Sequence, residues 1–163
     1  MSIIINKTIS EYVYEKLRAP IRSEPRFGFV DENLEYYLLN LLTSFGSSED
    51  FFGESGGTRI DPRSPVALLY KEAIESSPDE SMAQIKKLGD WLLVTDALYP
   101  EALSGGKSLV GRDYFVSMGK LSYARASIIL GRKTGGREFA GVYRILSNRF
   151  EEVSLLLSRA VKN

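Results

Sequence analysis

Helix start and stop signals recur along this chain, and no stretch alternates apolar and polar residues with the period of two that a half-buried strand requires. Thr8-Ile-Ser-Glu11 has the capping-box pattern, with Thr8 as N-cap and a glutamate three residues on. It predicts a helix from about Ile9 to Arg18, broken by Pro20 and Pro25. Residues 1–8, with Ile3 to Ile5, read as a flexible or docking tail, or as a short strand. Asp31 is a good N-cap for a helix over Glu32 to Phe45, whose apolar residues run nearly all round. Such a helix should be buried on most sides, inside the domain or in a dimer. Residues 46–64 hold Gly46, Gly53, Gly56, Gly57, Pro62 and four serines, a long loop anchored by Phe51 and Phe52 that reads as a lid or mobile segment.

The second half repeats the signals. Ser64-Pro65 is an N-cap with proline at the first helical position, and its helix should reach Glu75. Ser77-Pro78-Asp79-Glu80 is a full capping box, opening a helix to Leu98 that closes before Pro100. A loop with Gly105 and Gly106 leads to a helix over Val110 to Leu130. Gly131 to Gly136 is the next break, and a final helix spans Glu138 to Val161. The fold class is therefore all-α: one domain over residues 1–163, a bundle of about six helices, with the 79–98, 110–130 and 138–161 helices at its centre.

Two absences narrow the chemistry. The chain has no cysteine and no histidine. Disulfides, thiolate nucleophiles and zinc–thiolate sites are excluded, and a reducing cytoplasm is the natural setting. Histidine triads and the usual metallohydrolase sites are excluded as well. No cofactor or metal is called for, and an enzyme would have to rest on carboxylates, lysine, tyrosine or serine. No stretch approaches a membrane span, and the first residues lack the basic segment of a secretory signal.

Charge is balanced overall but not along the chain. Residues 1–81 carry 8 basic and 14 acidic groups; residues 82–163 carry 13 basic and 7 acidic groups. Within 107–149 the basic groups outnumber the acidic 9 to 2. The two halves either complement each other inside one fold or present a positive face to an anionic partner. Zero net charge speaks against nucleic acid as that partner.

Single motifs are weaker. Gly105-Gly106-Lys107-Ser108 ends like a phosphate-binding loop but lacks the earlier glycine, since Glu101 stands there, and lacks a preceding strand. Glu151 and Glu152 are adjacent and point apart; Asp90 and Asp96 are six apart on one helix and do not face each other. Arg132, Lys133, Thr134 and Arg137 form a basic turn ahead of the last helix. Gly89, Gly119 and Gly141 lie inside predicted helices and suggest close helix crossings.

Charges on apolar stripes are the most pointed signals. Asp96 lies on the stripe of Met82, Ile85, Gly89, Leu92 and Leu93. Arg125 lies on that of Tyr114, Met118, Leu121 and Ile128. Arg149 sits in the seam of Val142, Ile145, Leu146, Val153, Leu156 and Ala160. Unpaired buried charges are costly, so an Asp96–Arg125 bridge is expected, with Arg149 reaching solvent or Glu152. The functional alternative is a pocket in which Arg125 and Arg149, with Tyr114, Tyr123 and Tyr143, bind a small carboxylate or phosphate metabolite.

The sequence Gly89-Asp90-x-Leu92-Leu93, then Pro100-Glu101, then Asp113-Tyr114-Phe115-x-x-Met118-Gly119, resembles an uncharacterised family of small, all-helical bacterial proteins. In that family a Gly-Asp helix, a Phe-Pro-Glu-like turn and an Asp-Tyr-Tyr-x-x-Met-Gly helix recur in this order. Tyr37 to Leu42 is similar to its earlier helix, so the likeness covers about residues 34–130; Tyr99 and Phe115 depart from the pattern. The resemblance implies a helical fold and a bacterial cytoplasmic setting, and supplies no catalytic residues. The apolar surface of the 32–45 helix, more than one side of a small domain can cover, points to an interaction or regulatory module that self-associates as a homodimer, with the anionic-metabolite site as the alternative.

Overall fold

The computed structural model describes residues 2–45, 65–103, 111–133 and 135–162, and contains no strand among them. The helices are α1 (Ser2–Ser23), α2 (Glu32–Phe45), α3 (Val66–Glu75), α4 (Pro78–Leu98), the single turn α5 (Pro100–Leu103), α6 (Arg112–Gly131), α7 (Arg137–Asn148) and α8 (Phe150–Lys162), with a 3-10 turn at Pro25–Phe27. The fold is all-α, as the sequence predicts. The long loop at 46–64 and the Gly105–Ser108 turn lie outside the described residues.

Local chemistry explains two helix starts. Asp31 accepts the Leu34 N–H on its side chain at 2.8 Å and the Glu35 N–H on its carbonyl at 2.9 Å, so it caps α2 as expected. Helix α4 begins at Pro78, but the Ser77 hydroxyl makes no cap bond and the predicted capping box does not form. Pro78, with its preset φ, and the acidic Asp79 and Glu80 beside the positive helix end define that start instead. Ser64 lies outside the described residues, and Pro65 occupies the cap position of α3.

Three boundaries differ from the sequence expectation. Helix α1 begins at Ser2 rather than Ile9, so residues 2–8 are helical and not a separate tail. It also runs through Pro20, because that proline sits in the last turn, where the Glu24 N–H still reaches the Pro20 carbonyl at 3.0 Å. Pro20 is buried close to the fully buried Leu17, and that burial offsets the bond it cannot donate. The last predicted helix is two: Arg149 leaves helical geometry at φ −116° and ψ 27°, and the chain turns a corner. The corner lets α7 lie on α6 and α2 while α8 packs on α1 and α4.

Helix α4 is the axis of the molecule. Every residue from Leu88 to Ala97 is buried, because α3, α6 and α8 pack around it. Around it one continuous core joins side chains from Leu17 to Ala160. Helices α6 and α7 form an antiparallel pair, pinned by Ser127 Oγ to the Ala140 carbonyl and Ser147 Oγ to the Lys120 carbonyl, each 2.8 Å. Glycines set two of the close approaches. A Cβ at Gly119 would stand 2.4 Å from the Phe150 ring, and one at Gly89 3.0 Å from the Tyr123 ring. Gly141 does not follow this pattern: a Cβ there would meet nothing within 4 Å.

Two helix faces turn differently from their apolar pattern. Helix α2 buries Leu34, Leu38, Leu41 and Leu42, but Asn33, Tyr36 and Asn40 are exposed, so within the chain it is covered on one side. In α6 the buried face is Val116, Gly119, Ser122, Tyr123, Ala126 and Ser127, whereas Leu121 and Ile128 are 44% and 47% exposed. Small residues let α6 approach its neighbours closely, and that approach outweighs the burial of two larger side chains. The expected stripe of Tyr114, Met118, Leu121, Arg125 and Ile128 is therefore split: Tyr114 and Met118 pack on the core, and the rest face outward.

Candidate functional site: two aspartates in the core

A buried carboxylate demands partners, and α4 carries two where its whole circumference is covered. Asp90 is 4% exposed and Asp96 5%. Six residues apart, they turn to different neighbours.

Asp90 gathers donors from three helices. Tyr37 on α2 donates to Oδ1 at 2.5 Å, and Tyr123 on α6 donates to the same oxygen at 2.7 Å. Lys86, one turn earlier on α4, bonds Oδ2 at 2.7 Å and lies over the Tyr37 ring at 5.2 Å from its centroid. Tyr143 on α7 closes the cluster, edge-on to Tyr37 at 5.4 Å and stacked beside Tyr123 at 6.0 Å. Gly89 is what makes room for the Tyr123 ring beside α4.

This setting fixes the protonation of its members. Burial, reinforced by the Asp90 charge and hydrogen bond, holds the Tyr37 and Tyr123 phenols well above their ordinary pKa. Burial likewise raises Tyr143; Lys86 opposes that rise and Asp90 adds to it. Burial depresses the Lys86 ammonium, but the Asp90 charge and hydrogen bond outweigh it, so its pKa is raised. The phenols are therefore neutral donors near neutral pH, suited to holding a carboxylate and not to abstracting a proton.

Asp96 is held by a different set. Arg112, at the start of α6, grips it with Nε on Oδ1 at 2.6 Å and Nη2 on Oδ2 at 3.0 Å. Ser154 on α8 donates to Oδ2 at 2.6 Å. The fork geometry matches guanidinium to carboxylate, and the hydrogen bond to Asp96 raises the Arg112 pKa against a smaller burial effect.

The expected Asp96–Arg125 bridge is thus replaced by Asp96–Arg112. Arg125 is exposed, because the outward turn of its stripe carries it away from α4. Arg149 stands at the α7–α8 corner, over the Phe29 ring at 5.2 Å and 3.9 Å from Glu152. Of the six residues singled out from sequence, Tyr123 and Tyr143 come together; Tyr114 instead packs edge-on against Phe115 at 5.4 Å. From sequence, Asp90 is weighed only against Asp96, and no role falls to Tyr37, Lys86, Arg112 or Ser154. The Lys86–Asp90 spacing of four was a readable signal; the partners from other helices had none.

Among the described residues no three acidic side chains lie close enough to hold a metal ion, and no helix is long and apolar enough to cross a membrane. No family model, curated protein or solved structure matches the chain.

Proposed function

We propose that this chain is a non-catalytic interaction module that works as a homodimer in the bacterial cytoplasm. The observation that carries the reading is the outer face of α6, where Leu121 and Ile128 stand exposed on either side of Arg125. The two lie about two turns apart on one helix face, out of phase with the core, and their apolar surface gains from being covered. The interior supports the same reading from the opposite direction. Asp90 and Asp96 already hold neighbours of this chain, and the phenols beside Asp90 are held neutral, so the buried polar groups have structural work. Lack of cysteine fits a reducing compartment.

An anion site shared by Arg125 and Arg149 has less support, since one sits on the outer face of α6 and the other over Phe29 at the α7–α8 corner. Sedimentation equilibrium at micromolar concentration tests the main reading. A species of twice the chain's 18.2 kDa is the expected result, and a monomer at every concentration refutes it.

A further inference from the structure

The groove between α6 and α7 carries the features of a helix-docking surface. It opens to about 350 Å³ along the antiparallel pair. Ala124, Ser127, Ile128 and Gly131 line it from α6, and Arg144, Ser147 and Asn148 from α7. Arg144 is the one charged residue in that lining. Beyond the α6 wall, Leu121, Arg125, Ile128 and Arg132 follow at intervals of four, three and four residues, so they form one stripe of alternating apolar and basic side chains. All four are exposed.

Gly141 adds an independent sign. It precedes Arg144 by three residues and so lies on the same side of α7. Glycine inside a helix is unfavourable relative to alanine, and none of the described residues comes near enough to require it. A backbone approaching from outside would.

The chain itself holds a matching surface. Helix α3 buries Val66 and Ala73 against its own copy. Its opposite side presents Leu68, Lys71, Glu72 and Glu75, all exposed. An apolar residue with two carboxylates to one cation still complements an apolar and arginine stripe. The lengths agree: at ~1.5 Å per residue, α3 and the Leu121–Arg132 stripe each extend roughly 15 Å. Helix α3 also packs against α6 within the chain. An isologous dimer would seat α3 of each copy on the groove of the other.

We infer that the homodimer forms by reciprocal docking of α3 from each copy into the α6–α7 groove of the other, with Glu72 and Glu75 on Arg125 and Arg144. This rests on the self-association proposed above. The test uses two charge-reversed versions of the full chain, one with Arg125→Glu and Arg144→Glu, the other with Glu72→Arg and Glu75→Arg. All four residues are exposed, and circular dichroism checks that each variant folds. Reversal puts like charges together twice per dimer, so each variant alone should self-associate on the order of a hundredfold more weakly than wild type. An equimolar mixture restores opposite charges at both contacts and should form a heterodimer. If wild type is dimeric and both variants stay dimeric, the groove is not the interface, while self-association stands. Should the variants dissociate but fail to pair when mixed, α3 is not the occupant and the inference is overturned. A monomeric wild type refutes self-association and this interface together, and leaves the groove to an acidic helix of another protein.

Discussion

Gly119 is the position where a single methyl group most directly probes how closely α6 approaches its neighbour. Alanine there adds a Cβ 2.4 Å from Phe150 Cε2 and 2.6 Å from Cζ. Ordinary contact begins near 3.4 Å, so ring and helix must separate by about 1 Å. The ring has little freedom to do so: Phe150 is fully buried, with Tyr123 packed at 6.1 Å. Overpacking of this kind costs ~1–3 kcal/mol, and the severity of the contact places Gly119→Ala at the upper end. Relief of glycine's poor helix propensity returns up to ~1 kcal/mol. The net is a loss of about 2 kcal/mol, or roughly 4–8 °C in Tm for a chain of this size. Gly89→Ala, at 3.0 Å from Tyr123, should lose less, and Gly141→Ala, with nothing within 4 Å, should gain up to ~1 kcal/mol. Thermal unfolding by circular dichroism, at concentrations low enough to hold the monomer, gives the order directly. A Gly119→Ala protein as stable as wild type, or more stable than Gly141→Ala, refutes the packing argument.

Other outcomes follow from the two aspartates. Asp90→Ala strands the Tyr37 and Tyr123 hydroxyls and should cost ~3–5 kcal/mol in urea unfolding, whereas Asp90→Asn keeps an acceptor for the phenols and should cost less. Arg112→Ala leaves Asp96, whose side chain is 1% exposed, with only Ser154, and should cost about 2–3 kcal/mol; lysine at 112 should recover part of it. The pH dependence has a definite sign. Tyr37, Tyr123 and Tyr143 are raised from 10.0 and Lys86 from 10.5, so the folded state favours the protonated form of all four. Their contribution is complete below the unfolded values and is lost as pH climbs from about 10 toward the folded ones. Stability should therefore fall on the alkaline side, with part of the tyrosinate absorbance appearing only as the chain unfolds. Full titration of all tyrosines in the folded protein contradicts the assignment.

Most of the architecture was legible in the sequence, and the reason is local. Caps, prolines and glycines act within a few residues of themselves, so Asp31, Pro78 and the turn after Gly131 marked helix ends well. What failed needed knowledge of neighbours. Nothing local at Asn148 or Arg149 announces the corner, which exists because α7 and α8 pack on different helices. The phase of α6 differs from its apolar pattern for a related reason: glycine, alanine and serine, which carry no hydrophobic signal, make up much of its packing face beside Val116 and Tyr123, and Leu121 and Ile128 face outward. That difference extends to Arg125 and hid Arg112. Tyr123 and Tyr143 were found as aromatic residues of interest, but the carboxylate between them and Tyr37 was not, since those four residues lie on four separate helices.

The all-round burial of α4 also bears on how the chain is made. A ribosome completes residues 78–98 well before residues 112–162, which form most of the sheath around them. Until α6 and α8 emerge, the stretch Leu88 to Ala97 lacks two of the helices packed around it, and Asp96 lacks both Arg112 and Ser154. A growing or prematurely ended chain thus displays its stickiest helix, the situation in which aggregation competes with folding and holding factors bind. Release of α8 completes that sheath.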